Sequence, residues 1–256
     1  MAVKIELSDE ILSTFVPVIV YWVFSGIYGL LGYLESYRLH PKGAEDIENV
    51  ASKAQVLKGV LLQQIVQIGV VFLMMQVIGE EGGAPPPQPS FLVGACQFLI
   101  AMVVLDLWQY FGHRYMHVNK FLYKHIHSKH HALVVPYSWG SLYNHPLEGL
   151  LLDTIGGSLA FLVSGMTPRT SIYFFSFATI KSLDMHSSLY LPWNPLQVCF
   201  RNNVAYHDIH HQLKGNKYNY AQPFFVSWDL IFGTHMPFTV EERKGGGFEA
   251  RPLKDM

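Results

Sequence analysis

A chain of 256 residues, half of them apolar and only 14% charged, with a formal net charge of -1, lies well below the roughly one-quarter charge of soluble domains. Near-neutral charge without a Lys/Arg-rich block excludes a protein that tracks a phosphate backbone, so no nucleic-acid partner is expected. Two cysteines, Cys96 and Cys199, exclude a disulfide framework and a thiolate metal site, and the apolar excess predicts a membrane protein.

Taken in order, Thr14 to Leu34 and Val56 to Ile78 each supply about 20 apolar residues, enough to cross a bilayer. The first run has no basic stretch before it and no small-residue cleavage site before Glu35, so it reads as a retained helix. Gln63, Gln64, Gln67 and Gln76 in the second run read as interhelical hydrogen-bonding groups. Between the two runs, Tyr37 to Gln55 is a polar loop, in which His40 reads as a loop residue. Gly79 to Pro89, rich in Gly and Pro, can only be a connection.

A third apolar run, Phe91 to Phe111, leads into His113. Asp106 lies two helical turns before His113, on the same face. It is either an acceptor for the second N–H of a metal-bound imidazole or a polar packing group. Leu147 to Val163 and Ser171 to Leu183, joined by the turn Gly165 to Arg169, read as an apolar hairpin. The expected fold is all-α: an integral membrane bundle of four to five apolar helices, capped by a cytosolic, histidine-rich helical region. Residues 1–112 hold three spans and the loop 37–55. Residues 113–256 hold the catalytic region, including the apolar hairpin 147–183.

Charge sets the expected orientation. With the first helix running from lumen to cytosol, sixteen of the eighteen Lys and Arg residues fall on the cytosolic side, leaving Lys4 and Arg169 opposite. Every histidine cluster then lies on the cytosolic face.

Six of the thirteen histidines fall between His113 and His131. His113 and His117 are four apart, and four-residue spacing puts two imidazoles on one helix face. His127, His130 and His131 form a second group, and His207, His210 and His211 repeat its spacing. His145, in Asn-His-Pro-Leu-Glu148, and His186, in Asp-Met-His-Ser, flank the apolar hairpin. A single histidine is ordinarily a hydrogen-bonded polar group; three spaced clusters on one membrane face ask for metal. Imidazole alone suits zinc, copper, iron or nickel. Ten imidazoles shared by two metals would give five each, with an octahedral position left for oxygen, which fits a dinuclear iron centre. Asp208, Asp184 and Glu148 are placed to orient imidazoles or to form ordinary surface pairs. Tyr137, Trp139, Tyr143, Trp193 and Tyr206 either border a lipid pocket or form an interfacial belt.

The order His-x3-His, His-x2-His-His and a second His-x2-His-His resembles the membrane fatty acid hydroxylase and sterol desaturase superfamily. The resemblance runs from Asp106 to Pro237 and includes Trp139, His145 to Glu148, Asn219-Tyr220 and Trp228 to Thr234. Within it, the whole chain looks like the plant-type sphingoid base C4-hydroxylases. The resemblance implies an endoplasmic reticulum, multi-pass membrane enzyme that hydroxylates C4 of a sphingoid long-chain base. It also implies two Fe ions, which zinc can replace in a purified sample, O2, and electrons from cytochrome b5 and its reductase. Other proteins of sphingolipid synthesis are possible partners on the same grounds. The catalytic ligands carried over are His113, His117, His127, His130, His131, His207, His210 and His211; His145 and His186 join them as metal ligands. His125 and His235 are expected outside the ligand set. Lys120, Lys124, Lys129, Lys214 and Lys217 flank the clusters, either docking an acidic donor or lying solvated beside the membrane. Rival activities on the same centre are sterol C5-desaturation, C4-methyl oxidation and fatty acid 2-hydroxylation; non-enzymatic rivals are a haem-binding or metal-transport membrane protein.

Overall fold

The Ser8 hydroxyl lies 3.4 Å from the Ile11 N–H, a side-chain cap on an otherwise unpaired helix start. The apolar run behind it forms α1, Asp9–Leu31. The computed structural model describes residues 7–78 and 87–253. Four more long helices follow: α2, Lys53–Ile78; α3, Phe91–Val118, capped by Ser90; α4, Pro146–Ser164; and α5, Pro168–Met185, capped by Thr167. The first four are long and apolar enough to cross a membrane. At 1.5 Å per residue α1 alone reaches about 35 Å, the depth of a bilayer core.

Polarity is arranged for a lipid solvent. Ile19, Leu30, Ile65, Val77 and Leu92 point outward, whereas Gln63, Gln64, Asp106, Lys181 and Asp184 are buried. Water would penalise that outward apolar surface, and hydrocarbon would penalise the polar groups if they faced it.

Contacts at the helix ends fix their directions. Arg169 pairs with Asp9 at 3.1 Å, joining the starts of α1 and α5, and Tyr28 donates to Asp184 at 2.9 Å near their ends. Gln97 donates to the Gly165 carbonyl at 2.7 Å, which sets the start of α3 beside the end of α4. On α2 and α4, Ser158 meets Met74, and a Cβ on Gly149 would lie 1.8 Å from Gln63 Nε2. Glycine there is what allows α2 and α4 to approach so closely. Helices α1, α3 and α5 therefore run one way, α2 and α4 the other, and all histidine-bearing segments gather at one end of the bundle.

That end is closed by the segments after α1, α3 and α5. The last of these carries α6, Val204–His211, capped by Asn203, and an antiparallel hairpin of β1, Phe238–Glu242, and β2, Phe248–Pro252. The hairpin adds a small β element to the helical architecture. Phe238, Val240, Phe248 and Ala250 pack on Leu39, Val204 and Ile209, so the two-residue period of a half-buried strand is present. Gly245, Gly246 and Gly247, all at positive φ, make its turn without steric cost.

Several polar side chains take structural roles. Both carboxylate oxygens of Asp106 accept backbone N–H groups, from Phe224 and Phe225, at 2.8 Å each. Asp106 is thus a packing anchor and touches no imidazole, because the Phe224 segment is nearer to its face of α3. Asp184 likewise accepts from Tyr28, Asn194 and Gln197, not from a histidine. Gln64 does bridge helices, accepting from Trp22 at 3.0 Å. Of the Gly79 to Pro89 connection, residues 79–86 lie outside the described residues; Gln88 accepts the Thr167 hydroxyl at 2.9 Å.

Replacing Asp106 by Ala strips the partners from two buried backbone donors, at about 1–3 kcal/mol each. The melting temperature of the detergent-solubilised D106A protein is therefore expected to fall by several degrees, and an unchanged thermal transition would show that water reaches those groups.

Candidate metal centre

The last two turns of α3 present His113 and His117 on one face. Asn119 then caps a short helix, Lys120–His125, and the chain tightens into a 3-10 segment, His127–Ala132. Side chains three apart in such a segment eclipse one another, and the His127 and His130 rings stack with centroids 5.7 Å apart. His207 and His210 on α6 do the same at 5.8 Å.

Nine imidazoles converge in two groups: His113, His117, His127, His131 and His210, and separately His130, His186, His207 and His211. Within each group the donor atoms all lie within 4.8 Å of one another. In each His-x2-His-His stretch the two residues four apart share a group, while the one between them crosses to the other. His210 thereby completes the group of His127 and His131, and His130 completes that of His207 and His211.

The hydrogen bonds fix which nitrogen faces inward. Nδ1 of His113 is 2.8 Å from the Tyr220 carbonyl, that of His210 2.7 Å from the Tyr218 carbonyl, and that of His211 2.8 Å from the Leu133 carbonyl. His186 and His130 meet the carbonyls of Ser182 and Tyr143, and His127 meets the Glu148 carboxylate at 2.7 Å. A carbonyl oxygen only accepts, so Nδ1 carries the proton and Nε2 is left with a bare lone pair. Yet the Nε2 atoms point at one another: His117 to His127 at 2.7 Å, His113 to His127 at 3.1 Å, His131 to His117 at 3.1 Å, and His207 to His186 at 3.0 Å. The buried His210 Nε2 has no partner at all.

In the His113–His127 pair, where both rings are held through Nδ1, the two lone pairs cannot hydrogen-bond each other, but a cation between them satisfies both. Two imidazole nitrogens each about 2.1 Å from a shared metal and a right angle apart are about 3 Å from each other, which matches the observed spacing. The residues therefore fit a metal ion in each group. Burial sharpens the donor set by disfavouring the charged ring: it holds His127 and His210 down to about 3 and His130 to about 4. His131, His207 and His211 are also driven well down, by burial first and neighbouring imidazoles second.

The remaining expected residues stand elsewhere. His145 joins neither group, because its Nδ1 accepts the Leu147 N–H at 3.2 Å and caps α4. His125 is exposed, and His235 stacks on Tyr206. Asp208 touches no metal-facing imidazole; it binds His40 Nε2 at 2.6 Å, which makes the half-buried His40 part of an ion-pair contact instead of a free loop residue. Of the three acids placed beside the histidines, only Glu148 orients one of the nine. Sequence reasoning missed Asp229, which accepts the N–H groups of Tyr220 and Ala221 and the hydroxyls of Tyr206 and Thr234. It thereby holds the Tyr220 carbonyl against His113, and its place in the Trp228 to Thr234 motif was the available signal.

A cavity of about 1370 Å³ opens from the second group and its neighbour His127. It begins at His127, His130 and His186, passes Val18, Ile68, Phe161 and Phe175, and ends beside Leu7, Asp9 and Arg169 near the starts of α1 and α5. It is larger than the 300–1,000 Å³ typical of small-ligand sites. The five aromatics expected at its border do not line it; Tyr21 does. Tyr137 and Tyr143 are packed in the neighbouring core, Trp193 lies edge-on to Tyr37, and Tyr206 donates to Asp229.

Imidazoles held below their ordinary value of about 6.5 release protons on folding, so the stability they lend is full above pH 6.5 and is lost as pH falls towards 4 and 3. The melting temperature of the metal-stripped protein should drop steeply between pH 7 and pH 5, as measured by thermal unfolding in buffered detergent. A flat profile would mean that the imidazoles are solvated.

Residues 98–234, which hold all nine converging histidines, match the family model for fatty acid hydroxylases. Sphinganine C4-monooxygenase 1 of Arabidopsis thaliana is 62% identical over the whole chain and 98% of its own length. The very-long-chain aldehyde decarbonylase GL1-9 of Oryza sativa is 57% identical over 97% of each chain, and the sphingolipid C4-hydroxylase sur2 of Schizosaccharomyces pombe is 41% identical over 86% of each. No solved structure matches the chain. Matching of more than half its length by the family model, and near-complete coverage by these relatives, make the chain a member of the fatty acid hydroxylase family.

Proposed function

We propose that the chain is a di-iron, O2-dependent hydroxylase that places a hydroxyl on C4 of a sphingoid long-chain base, converting sphinganine to phytosphingosine. The carrying observation is that one group of metal-facing imidazoles opens directly onto a long, largely apolar cavity. The activities for which the Arabidopsis and fission yeast relatives are named supply the substrate.

Bound iron supplies the O2 activation that no side chain can perform. The protein's own residues do the rest. The carbonyls of Tyr220, Tyr218 and Leu133 lock imidazole tautomers, and Glu148 holds the His127 proton. Val18, Ile68, Phe161 and Phe175 enclose an alkyl tail, so that one methylene is presented to the centre and water is kept from it.

The membrane is that of the endoplasmic reticulum, with the histidines on its cytosolic face; the Lys/Arg distribution supports this orientation. Electrons arrive from cytochrome b5. Lys120, Lys124, Lys214 and Lys217 are exposed beside the metal groups, where they form a surface complementary to an acidic donor. Lys129 is half-buried over the Tyr143 ring and has a packing role.

Expressed in cells lacking their own sphingoid C4-hydroxylase, the chain should generate phytosphingosine detectable by lipid mass spectrometry. A long-chain aldehyde consumed without phytosphingosine would instead transfer the assignment to the activity named for the rice relative. His130→Ala and His210→Ala, one in each group, should each lower turnover by more than about 100-fold and each remove one metal equivalent by elemental analysis. Full metal content in either variant would exclude that residue as a ligand. A tag after Met256 should be digested by protease added to sealed microsomes, and its protection would reverse the orientation.

A further inference from the structure

The sphingoid reading has a steric consequence for the head of the substrate. The amine on C2 is three bonds from C4, so a chain with C4 at the metals carries its amine inside the protein. An ammonium taken out of water without a carboxylate partner is strongly disfavoured. A free carboxylate oxygen must therefore face the cavity close to the imidazoles.

Helix α4 provides two. Its residues Gly149–Ile155 form a π-helical stretch, in which hydrogen bonds close five residues apart. The Thr154 hydroxyl lies 3.3 Å from the Gly149 carbonyl, five residues back. In an α-helix, positions five apart would point about 140° away from each other; the π register brings Glu148 and Asp153 round to the same cavity. Each has one oxygen engaged and one free. Glu148 Oε1 holds His127, and Asp153 Oδ1 accepts from Gln109 at 3.1 Å. Glu148 Oε2, Asp153 Oδ2 and the Asn144 Oδ1 have no partner. Glu148 is 4% exposed and Asn144 7%, and both line the cavity with Asp153. Gln109 lies one turn before His113 on α3, so Asp153 is tied to the neighbourhood of the metal groups.

Three acceptors without donors describe the complement of an ammonium flanked by hydroxyls. The cavity's only Lys or Arg among the described residues, Arg169, belongs to its opposite end. We propose that Asp153, with Glu148 and Asn144, forms the subsite that binds the ammonium and neighbouring hydroxyls of a free, unacylated sphingoid base. Asp153 is the specificity-determining member, since Glu148 also holds His127. An N-acyl substrate brings a neutral amide to the same place and leaves the charge of the subsite unanswered.

The proposal rests on the sphingoid reading but is tested separately from it, by binding. Purified full-length protein in lipid nanodiscs is titrated with sphinganine, N-acetylsphinganine and octadecane-1,3-diol, which lacks the nitrogen. Wild-type protein, whose folding is not in question, should bind sphinganine at least tenfold more tightly than either analogue. Asp153→Asn should weaken sphinganine about tenfold and leave N-acetylsphinganine within twofold, abolishing the preference. In turnover, the loss should fall on KM more than on kcat. Equal affinities in the wild type, or an equal loss for all three ligands in D153N, would overturn the subsite. Phytosphingosine formed without discrimination would sink this inference alone, whereas discrimination without phytosphingosine would sink the reaction and leave the subsite standing.

Discussion

Everything at the histidine end follows from one electrostatic constraint: a backbone carbonyl cannot donate a hydrogen bond. Once Leu133, Tyr143, Ser182, Tyr218 and Tyr220 turn their carbonyls to the Nδ1 atoms, each ring has a single tautomer and its Nε2 lone pair faces other lone pairs. The arrangement is favourable only with cations between them, so the fold stores metal affinity in the placement of main-chain groups. That explains the apparatus around the Tyr218 to Ala221 segment. Asn219 takes the left-handed φ of 55°, a conformation asparagine tolerates better than most residues. Its side chain accepts the Met236 N–H at 2.8 Å. Asp229 holds the next two N–H groups, and Asp106 reaches across from α3 to hold Phe224 and Phe225. None of these acids touches a metal-facing imidazole, yet together they set the angles of His113 and His210.

The two His-x2-His-His stretches are reciprocal. Each gives two imidazoles to one metal group and lends one to the other, so neither group is complete until the segment after α3 and the segment after α5 have met. An ion held between imidazoles of both segments would stabilise the state in which they are together.

The spans were legible because bilayer thickness imposes a run length that composition reveals directly. The turn at Gly165 was legible from its residue types, and the helix caps Ser8, Ser90 and Thr167 have ordinary chemistry. The histidines were legible as a set, since spacing reports which side chains share a face. What spacing cannot report is where the second ring nitrogen goes. His145 and His186 look alike in sequence, each a lone histidine at one end of the apolar hairpin. They part because His145 spends its Nδ1 as an acceptor in a helix cap, whereas His186 meets a carbonyl in the last turn of α5. The same limit affected the acids. Asp106, Asp184 and Asp208 all lie near histidines in sequence, but each is also held by a partner far along the chain. The β hairpin escaped notice because its two-residue period spans only five residues per strand.

A centre of this kind does not by itself choose a lipid. Every converging imidazole is committed to its group, and five of them also to a main-chain carbonyl, which leaves none free to read a substrate. Discrimination must then come from the cavity wall, where the membrane acts as the reference solvent. An alkyl tail gains little by moving from lipid to Val18, Ile68 and Phe161, both surroundings being apolar. The head gains or loses much more, because its polar groups leave the interface for a cavity with largely apolar walls. Relatives at 62% and 57% identity carry names for different chemistries, so overall likeness within the family does not by itself fix the reaction. On α4 the polar positions of the cavity wall depend on the π register of Gly149–Ile155. Removing its extra residue would rotate the following helix by about 100° and turn Asp153 away from the side of the cavity that Glu148 lines.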